Sequence, residues 1–382
     1  MKMIYLDNSA TSFIKPSSVK NAMLEAVNKY SVNPGRGNYK LSLELSEKIY
    51  ETRNNISEFF GGYGAENVVF FASCTVAINQ VIFSLLGDGG HVVVSDLEHN
   101  AVMRPLYKLR EKGLKISFAE VCEKDKDKTL DNFRKAINKD TKLIVCTAGS
   151  NVFGIRPPFE RIAALANLYG IKILVDASQA AGIIDINMRE SGIDYLCFPA
   201  HKGLYGIMGL GVLMIKEGET LTPLVYGGTG VESISESQPL LPPERYESGT
   251  LNVPGIIALN EGVKFVKSKG VFRIHKWETE RLKEIYYYLK GNKRVKLYTD
   301  IPDTENYLPV LSFNTDFPSE RMAELYGEKG VCIRSGLHCA PVAHKKYGTL
   351  NVGTVRISPS AFTSVNDVRE FIRITGQILK LN

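Results

Sequence analysis

At 382 residues the chain has room for one large unit and a smaller one, each with its own core. Its 44% hydrophobic and 23% charged residues are ordinary for a globular protein, and the net charge of +6 is interleaved with acids, so no basic stripe speaks for nucleic acid. No apolar run approaches a membrane span, the N-terminus turns polar too early for a signal peptide, and six scattered cysteines fit free thiols in a reducing cytoplasm.

Residues 1–14 read as an extended arm with a polar turn at Asp7-Asn8-Ser9-Ala10-Thr11. Pro16 opens an amphipathic helix to about Asn28, Asn33–Asn38 is a Gly/Asn-rich loop, and a longer helix runs from Leu41 to Phe60, stopped by Gly61-Gly62. Strand and helix then alternate: Val68–Ala72, Thr75–Leu86, Val92–Ser95, a helix from Asn100, Ile116–Glu120, Leu130–Ile137, Leu143–Thr147 and Phe159–Tyr169. That alternation predicts a mainly parallel sheet. Glu123–Lys128, with its alternating charges, reads as a solvated loop. Gly227 to Pro243 is a polar loop region, and a long helical section, Val253–Leu289, leads to a second unit. There Val310–Phe313, Arg321–Tyr326, Val331–Ile333 and Thr354–Ile357 alternate before a final helix from Val365. The expected division is an arm (1–14), a large domain (15–255) and a small C-terminal α+β domain (256–382).

The stretch Ile171–Lys202 organises the rest. The apolar run Ile171–Val175 ends in Asp176, with Gln179 close behind. A strand buried on both faces that ends in an acid belongs to a parallel sheet, and ligands sit outside the carboxyl ends of such strands. A second run, Asp194–Phe198, leads to His201-Lys202 and a segment rich in glycine (Gly203, Gly206, Gly209, Gly211). An acid at a strand end and a lysine in a following loop suit pyridoxal phosphate (PLP), the acid keeping the ring nitrogen protonated and the lysine forming a Schiff base. The competing reading makes Asp176 a helix cap.

Other polar groups gather at the same predicted edge. The small residues Ser73-Cys74-Thr75 join strand to helix as an anion site would, or as a plain N-cap. His99 follows Val92–Ser95 and offers a flat ring for stacking, or a cap; Asn151 follows Leu143–Thr147. Far downstream, Arg334-Ser335-Gly336-Leu337-His338-Cys339-Ala340 sets a cysteine beside a histidine and near an arginine, where cations favour a reactive thiolate. Two plainer readings compete: an inert buried thiol, or zinc held by Cys332, His338, Cys339 and His344. Adjacent His338-Cys339 fits no usual zinc spacing.

These motifs, with Tyr5-Leu6-Asp7-Asn8-Ser9-Ala10 and Val355-Arg356-Ile357-Ser358, give the chain a clear resemblance over nearly its whole length. It resembles the PLP-dependent cysteine desulfurases of the class V aminotransferase fold, in their group II, selenocysteine lyase-like branch. The resemblance implies an α/β protein of PLP-dependent transferase fold type I, in which Lys202 is the Schiff-base lysine and Asp176 the partner of the ring nitrogen. It further implies that His99 stacks on the ring, Gln179 bonds its phenolic oxygen, and Thr75 and His201 hold the phosphate. Thr250 would reach the phosphate of a neighbouring subunit in a homodimer. Arg356, with Asn151 and Arg334 nearby, would bind the substrate carboxylate, and Cys339 would take sulfur from L-cysteine and pass it to an acceptor protein.

Three positions depart from the family's pattern: Pro199 stands where a serine is common, Cys74 for a threonine, and Leu337 for a histidine. The expected activity is therefore cysteine desulfuration. Its rivals are selenocysteine lyase, a C–S β-lyase or aminotransferase that needs no Cys339, and an inactive PLP-binding scaffold.

Overall fold

The computed structural model describes residues 3–34, 37 and 39–381. Gly35, Arg36 and Asn38 of the predicted Asn33–Asn38 loop lie outside the described residues. The first half of the chain holds β1 (Ile4–Tyr5), α1 (Ser17–Lys29), α2 (Lys40–Phe59), β2 (Val68–Phe71), α3 (Cys74–Leu86), β3 (His91–Ser95), α4 (Asn100–Arg110), β4 (Lys115–Ala119), α5 (Lys126–Ala136), β5 (Thr141–Thr147), α6 (Phe159–Leu168) and β6 (Lys172–Asp176). The second half holds α7 (Met188–Ser191), β7 (Tyr195–Pro199), β8 (Gly211–Ile215), α8 (Val253–Lys269), α9 (Val271–Lys290), β9 (Val295–Leu297), β10 (Leu311–Thr315), α10 (Ser319–Glu328), β11 (Val331–Cys332), β12 (Arg334–Gly336), α11 (Pro341–Lys346), β13 (Thr354–Ile357) and α12 (Val365–Ile378). No described helix is long and apolar enough to cross a membrane.

A seven-stranded sheet, ordered β2-β8-β7-β6-β5-β3-β4, forms the centre. Strands β7, β6, β5, β3 and β4 run parallel, and β8 runs antiparallel to β2 and β7 on either side. The inner parallel strands are near-continuous apolar runs because helices cover both faces: Ile173-Leu174-Val175 and Leu196-Cys197-Phe198 are wholly buried. Each fully buried Val, Leu or Ile there contributes about 1.5–3 kcal/mol. A four-stranded antiparallel sheet, β12-β13-β10-β9, lies in the C-terminal part, and the arm strand β1 pairs in parallel with β11. A separate core joins Ile4 and Leu6 of the arm to residues between Leu282 and Ile378.

Four local expectations change. The Gly-rich segment after Lys202 ends in a true strand, β8. α5 starts at Lys126, inside the run read as a loop, because Asp125 caps it through a bond from the Lys128 N–H at 2.8 Å. The long helical section is two helices, broken at Gly270 with φ +83°. Strands β9 and β12, three residues each, escape notice by their shortness.

Helix α8 runs close to the turn that carries Lys202. A Cβ on Gly262 would come within 2.0 Å of the Leu204 carbonyl oxygen, which is backbone and cannot swing aside. We predict that Gly262→Ala destabilises the protein by about 1–3 kcal/mol through overpacking, outweighing the roughly 1 kcal/mol that alanine gains as a helix former. Urea unfolding decides it; a stabilised variant would mean that α8 does not press on this turn.

Candidate active site

The carboxyl ends of β3, β5, β6 and β7 converge on a cavity of about 140 Å³. Thr75, His99, Asn151, Asp176, Gln179, His201 and Lys202, predicted from five separate places in the sequence, all line it. Thr250, Arg334, Arg356 and Cys339 do not.

Asp176 ends β6, and its Oδ1 accepts the Ser178 N–H at 2.9 Å. That closes a local turn; no helix follows for it to cap. The Lys202 amine forms no hydrogen bond or ion pair among the described residues. Burial pulls its amine below the ordinary lysine range, and Asp176 pushes it partly back. His99 takes up its capping reading at the start of α4, Nδ1 accepting the Ala101 N–H at 3.0 Å, and also faces the cavity. Burial lowers it to about 4, so the ring is neutral at pH 7 with its proton on Nε2. Gln179 donates to the Ser9 carbonyl at 3.0 Å, and Asn151 to the His338 carbonyl at 2.7 Å.

The cap of α3 is Ser73, which accepts the Val76 N–H at 3.3 Å, so Thr75 is left on the cavity wall. The first N–H groups of a helix have no intrahelical partner and favour an anion. Gly211 of β8 lets the strand pass beneath this corner, for a Cβ there would lie 2.2 Å from the Cys74 nitrogen. Cys74 Sγ lies 3.2 Å from Ser178 Oγ.

Cys339 is exposed, on a loop whose backbone is left-handed at two successive residues, His338 (φ +48°) and Cys339 (φ +57°). The loop is docked on the large sheet's helices. The Cys339 carbonyl accepts the Asn100 N–H at 2.7 Å, at the start of the helix that His99 caps. The expectation that His338 supplies a cation beside the thiol fails. Its ring is buried with Nε2 toward the Thr354 carbonyl at 3.1 Å, and burial takes it down to about 2, so it is neutral. Among the described residues no three His, Cys, Asp or Glu side chains gather as a metal site. Arg334, at the sheet edge, is exposed, whereas its cross-strand partner Arg356 is buried. Arg356 Nη1 donates to the Asn151 carbonyl at 3.0 Å and Nη2 to Asp7 at 2.6 Å, leaving Nε without a partner.

Sequence reading passed over Asp7, Ser178, Gly211 and Glu98. Only Glu98 carried a local signal, standing next to His99 at a strand's end. It is wholly buried, with Oε1 accepting from Ser95 Oγ and from the Thr147 N–H at 2.7 Å and Oε2 unpaired. Burial, aided by Asp176, pushes it up to about 8. Between about pH 5 and 8 the folded protein keeps a proton that the unfolded chain releases, so the contribution of Glu98 to stability falls as pH rises. Glu98→Gln has no such proton. Its stability relative to wild type should therefore rise with pH, by up to about 1.4 kcal/mol per unit in that window. Paired denaturation curves at several pH values check this, and a pH-independent difference would contradict it.

Residues 4–371 match the family described as aminotransferase class-V. A probable cysteine desulfurase of Methanothermobacter thermautotrophicus is 32% identical over 99% of this chain and 94% of its own length. A second, from Pyrococcus abyssi, is 29% identical over 99% and 95% respectively. The apo structure of a cysteine desulfurase from Thermococcus onnurineus matches with a TM-score of 0.92 at 32% identity, covering 99% of this chain and 95% of that one. The Escherichia coli cysteine desulfurase CsdA, at 23% identity and a TM-score of 0.88 over 99% and 95% of the two chains, shares the fold. Family match, full-length relatives and fold agree: the chain belongs to the class-V aminotransferases and stands among their cysteine desulfurases.

Proposed function

We propose that the chain is a PLP-dependent cysteine desulfurase that converts L-cysteine to L-alanine and receives the sulfur on Cys339 as a persulfide. One observation carries this reading: a half-buried Lys202 with an unpaired amine shares a cavity with Asp176, while an exposed cysteine is docked on the helix that His99 caps.

The residues fit the cofactor. The unpaired amine of Lys202 would hold it covalently, and Asp176 would keep its ring nitrogen protonated. Neutral His99 would lie over the ring, and Gln179 would bond its phenolic oxygen. The helix start at Thr75, together with His201, would hold the phosphate; Pro199, on the same wall, has neither hydroxyl nor N–H to offer. PLP, when bound, supplies an electron sink for bonds broken next to the substrate's α-carbon.

Arg356 would take the substrate carboxylate, with Asn151 and Arg334 beside it; its unpaired Nε supports this. With cofactor and substrate bound, the Lys202 amine would be the group that moves the α-proton. The Cys339 thiolate then attacks the substrate sulfur. An S–S bond forms, the C–S bond breaks with its electron pair left on carbon, and a proton there completes alanine. Thiol reductant, or a thiol on an acceptor protein, later removes the sulfur.

A homodimer is part of the proposal. Thr250 is exposed and outside its own chain's cavity, as a residue serving a partner's phosphate would be. Nearby, Tyr226, Val231, Ile234, Leu240 and Leu241 present apolar side chains to solvent.

PLP-loaded protein given L-cysteine and dithiothreitol should release alanine and sulfide. Cys339→Ala should lower that rate at least about a hundredfold while keeping the cofactor. Equal alanine release by both proteins, or pyruvate in its place, would refute the assignment of Cys339. Release of alanine from L-selenocysteine but not from L-cysteine would favour the selenocysteine lyase alternative.

A further inference from the structure

The arm was read as an extension with a polar turn, and none of its residues entered the predicted site. Yet residues 4–15 touch three site residues in succession. At one end β1 pairs with β11, and Asp7 Oδ1 accepts from Arg356 Nη2 at 2.6 Å. In the middle the Ser9 carbonyl accepts from Gln179 Nε2 at 3.0 Å. At the far end four donors crowd the carbonyl oxygen of His201, the peptide immediately before Lys202. These are the Ser12 N–H at 3.0 Å, Ser12 Oγ at 3.0 Å, Thr11 Oγ1 at 3.2 Å and Lys15 Nζ at 3.0 Å.

Four donors on one carbonyl, which has two lone pairs, over-determine its position. The Lys202 carbonyl is fixed as well, accepting the N–H of Tyr205, itself buried and held at φ +56°. Strain of that kind persists only where the surroundings enforce it. Lys15 is the unusual member. It has no ion-pair partner among the described residues, and its ammonium bonds only Ser12 Oγ, at 2.7 Å, and the His201 carbonyl. Burial pulls it down to about 8. A cation set in a partly dry place without a counter-charge is unfavourable unless its position serves something.

Building on the desulfurase reading, we propose that residues 4–15 form a strap that sets the backbone of Lys202 relative to the substrate arginine, Arg356, with Lys15 the positioning residue at the lysine end. Asp7 is its counterpart at the arginine end. The strap thereby joins the group that binds substrate to the group that moves its proton, through one short stretch of backbone.

The test uses Lys15→Met, which keeps the apolar stem, Lys15→Arg, which restores a cationic donor, Asp7→Asn, and the Lys15→Met/Asp7→Asn pair. PLP is titrated into each apoprotein by absorbance, and kcat and KM for alanine release are measured on the loaded forms. Lys15→Met should lose about ten- to a hundredfold in PLP affinity and in kcat, the range for a hydrogen bond to a charged group, with KM for L-cysteine little changed. Lys15→Arg should recover most of that loss, Asp7→Asn should act mainly on KM, and the double variant should lose less than the two single losses combined. The proposal is overturned if Lys15→Met binds PLP and turns over like wild type, or if the two substitutions act independently. It is equally overturned if Lys15→Met does not fold and Lys15→Arg, folded, shows the full loss of PLP affinity. A wild type that takes up no PLP or makes no alanine would instead sink the desulfurase reading, and this inference with it.

Discussion

An amine held away from water is the constraint on which the site depends. Lys202 lies where burial disfavours its charged form, and Asp176, a carboxylate in the same cavity, opposes that only in part. A lysine in such a place is closer to a nucleophilic amine than a surface lysine is. The fold supplies the place. Parallel strands buried on both faces end together, and their last residues and following turns supply Thr147, Asp176, His99 and Lys202 to one wall. Strand β8, running the other way, closes the wall beneath the start of α3, and only a glycine at position 211 permits that approach.

The cysteine is brought in by a different device. Two successive non-glycine residues in the left-handed region cost about 1–3 kcal/mol each. Against this stand the Asn151 bond to the His338 carbonyl, the Asn100 N–H bond to the Cys339 carbonyl, and the burial of the His338 ring. Asp96 and Lys346, 2.7 Å apart and mostly shielded, tie the following helix α11 to the turn after β3. The backbone of Cys339 is thus fixed while its side chain faces outward. This suits the role proposed for Cys339, whose sulfur would meet a substrate and then a second thiol.

How much of this was legible depended on whether the cause was local. The alternation of β2 to β7 with their helices could be read because most of these strands carry a continuous apolar run. Asp176 and Lys202 could be read because strand ends and glycine-rich turns leave a compositional mark. Strand β8 was hidden because Gly209 and Gly211 look like loop punctuation, whereas Gly211 is there for a clearance that only three dimensions reveal. The charged run before α5 hid a helix start because Asp125 acts as a cap. His338 was misread as a cation because burial, which neutralises it, is not written in its neighbours. The arm's contacts join residues about 190 and 350 positions apart, beyond any local pattern.

The most direct test of the account is the mass of the protein after PLP-loaded wild type meets L-cysteine once, without reductant. One added sulfur atom is expected on the peptide containing Cys339, with one alanine released for each sulfur gained. Alanine without sulfur on that peptide, or sulfur on another cysteine such as Cys332, would contradict it.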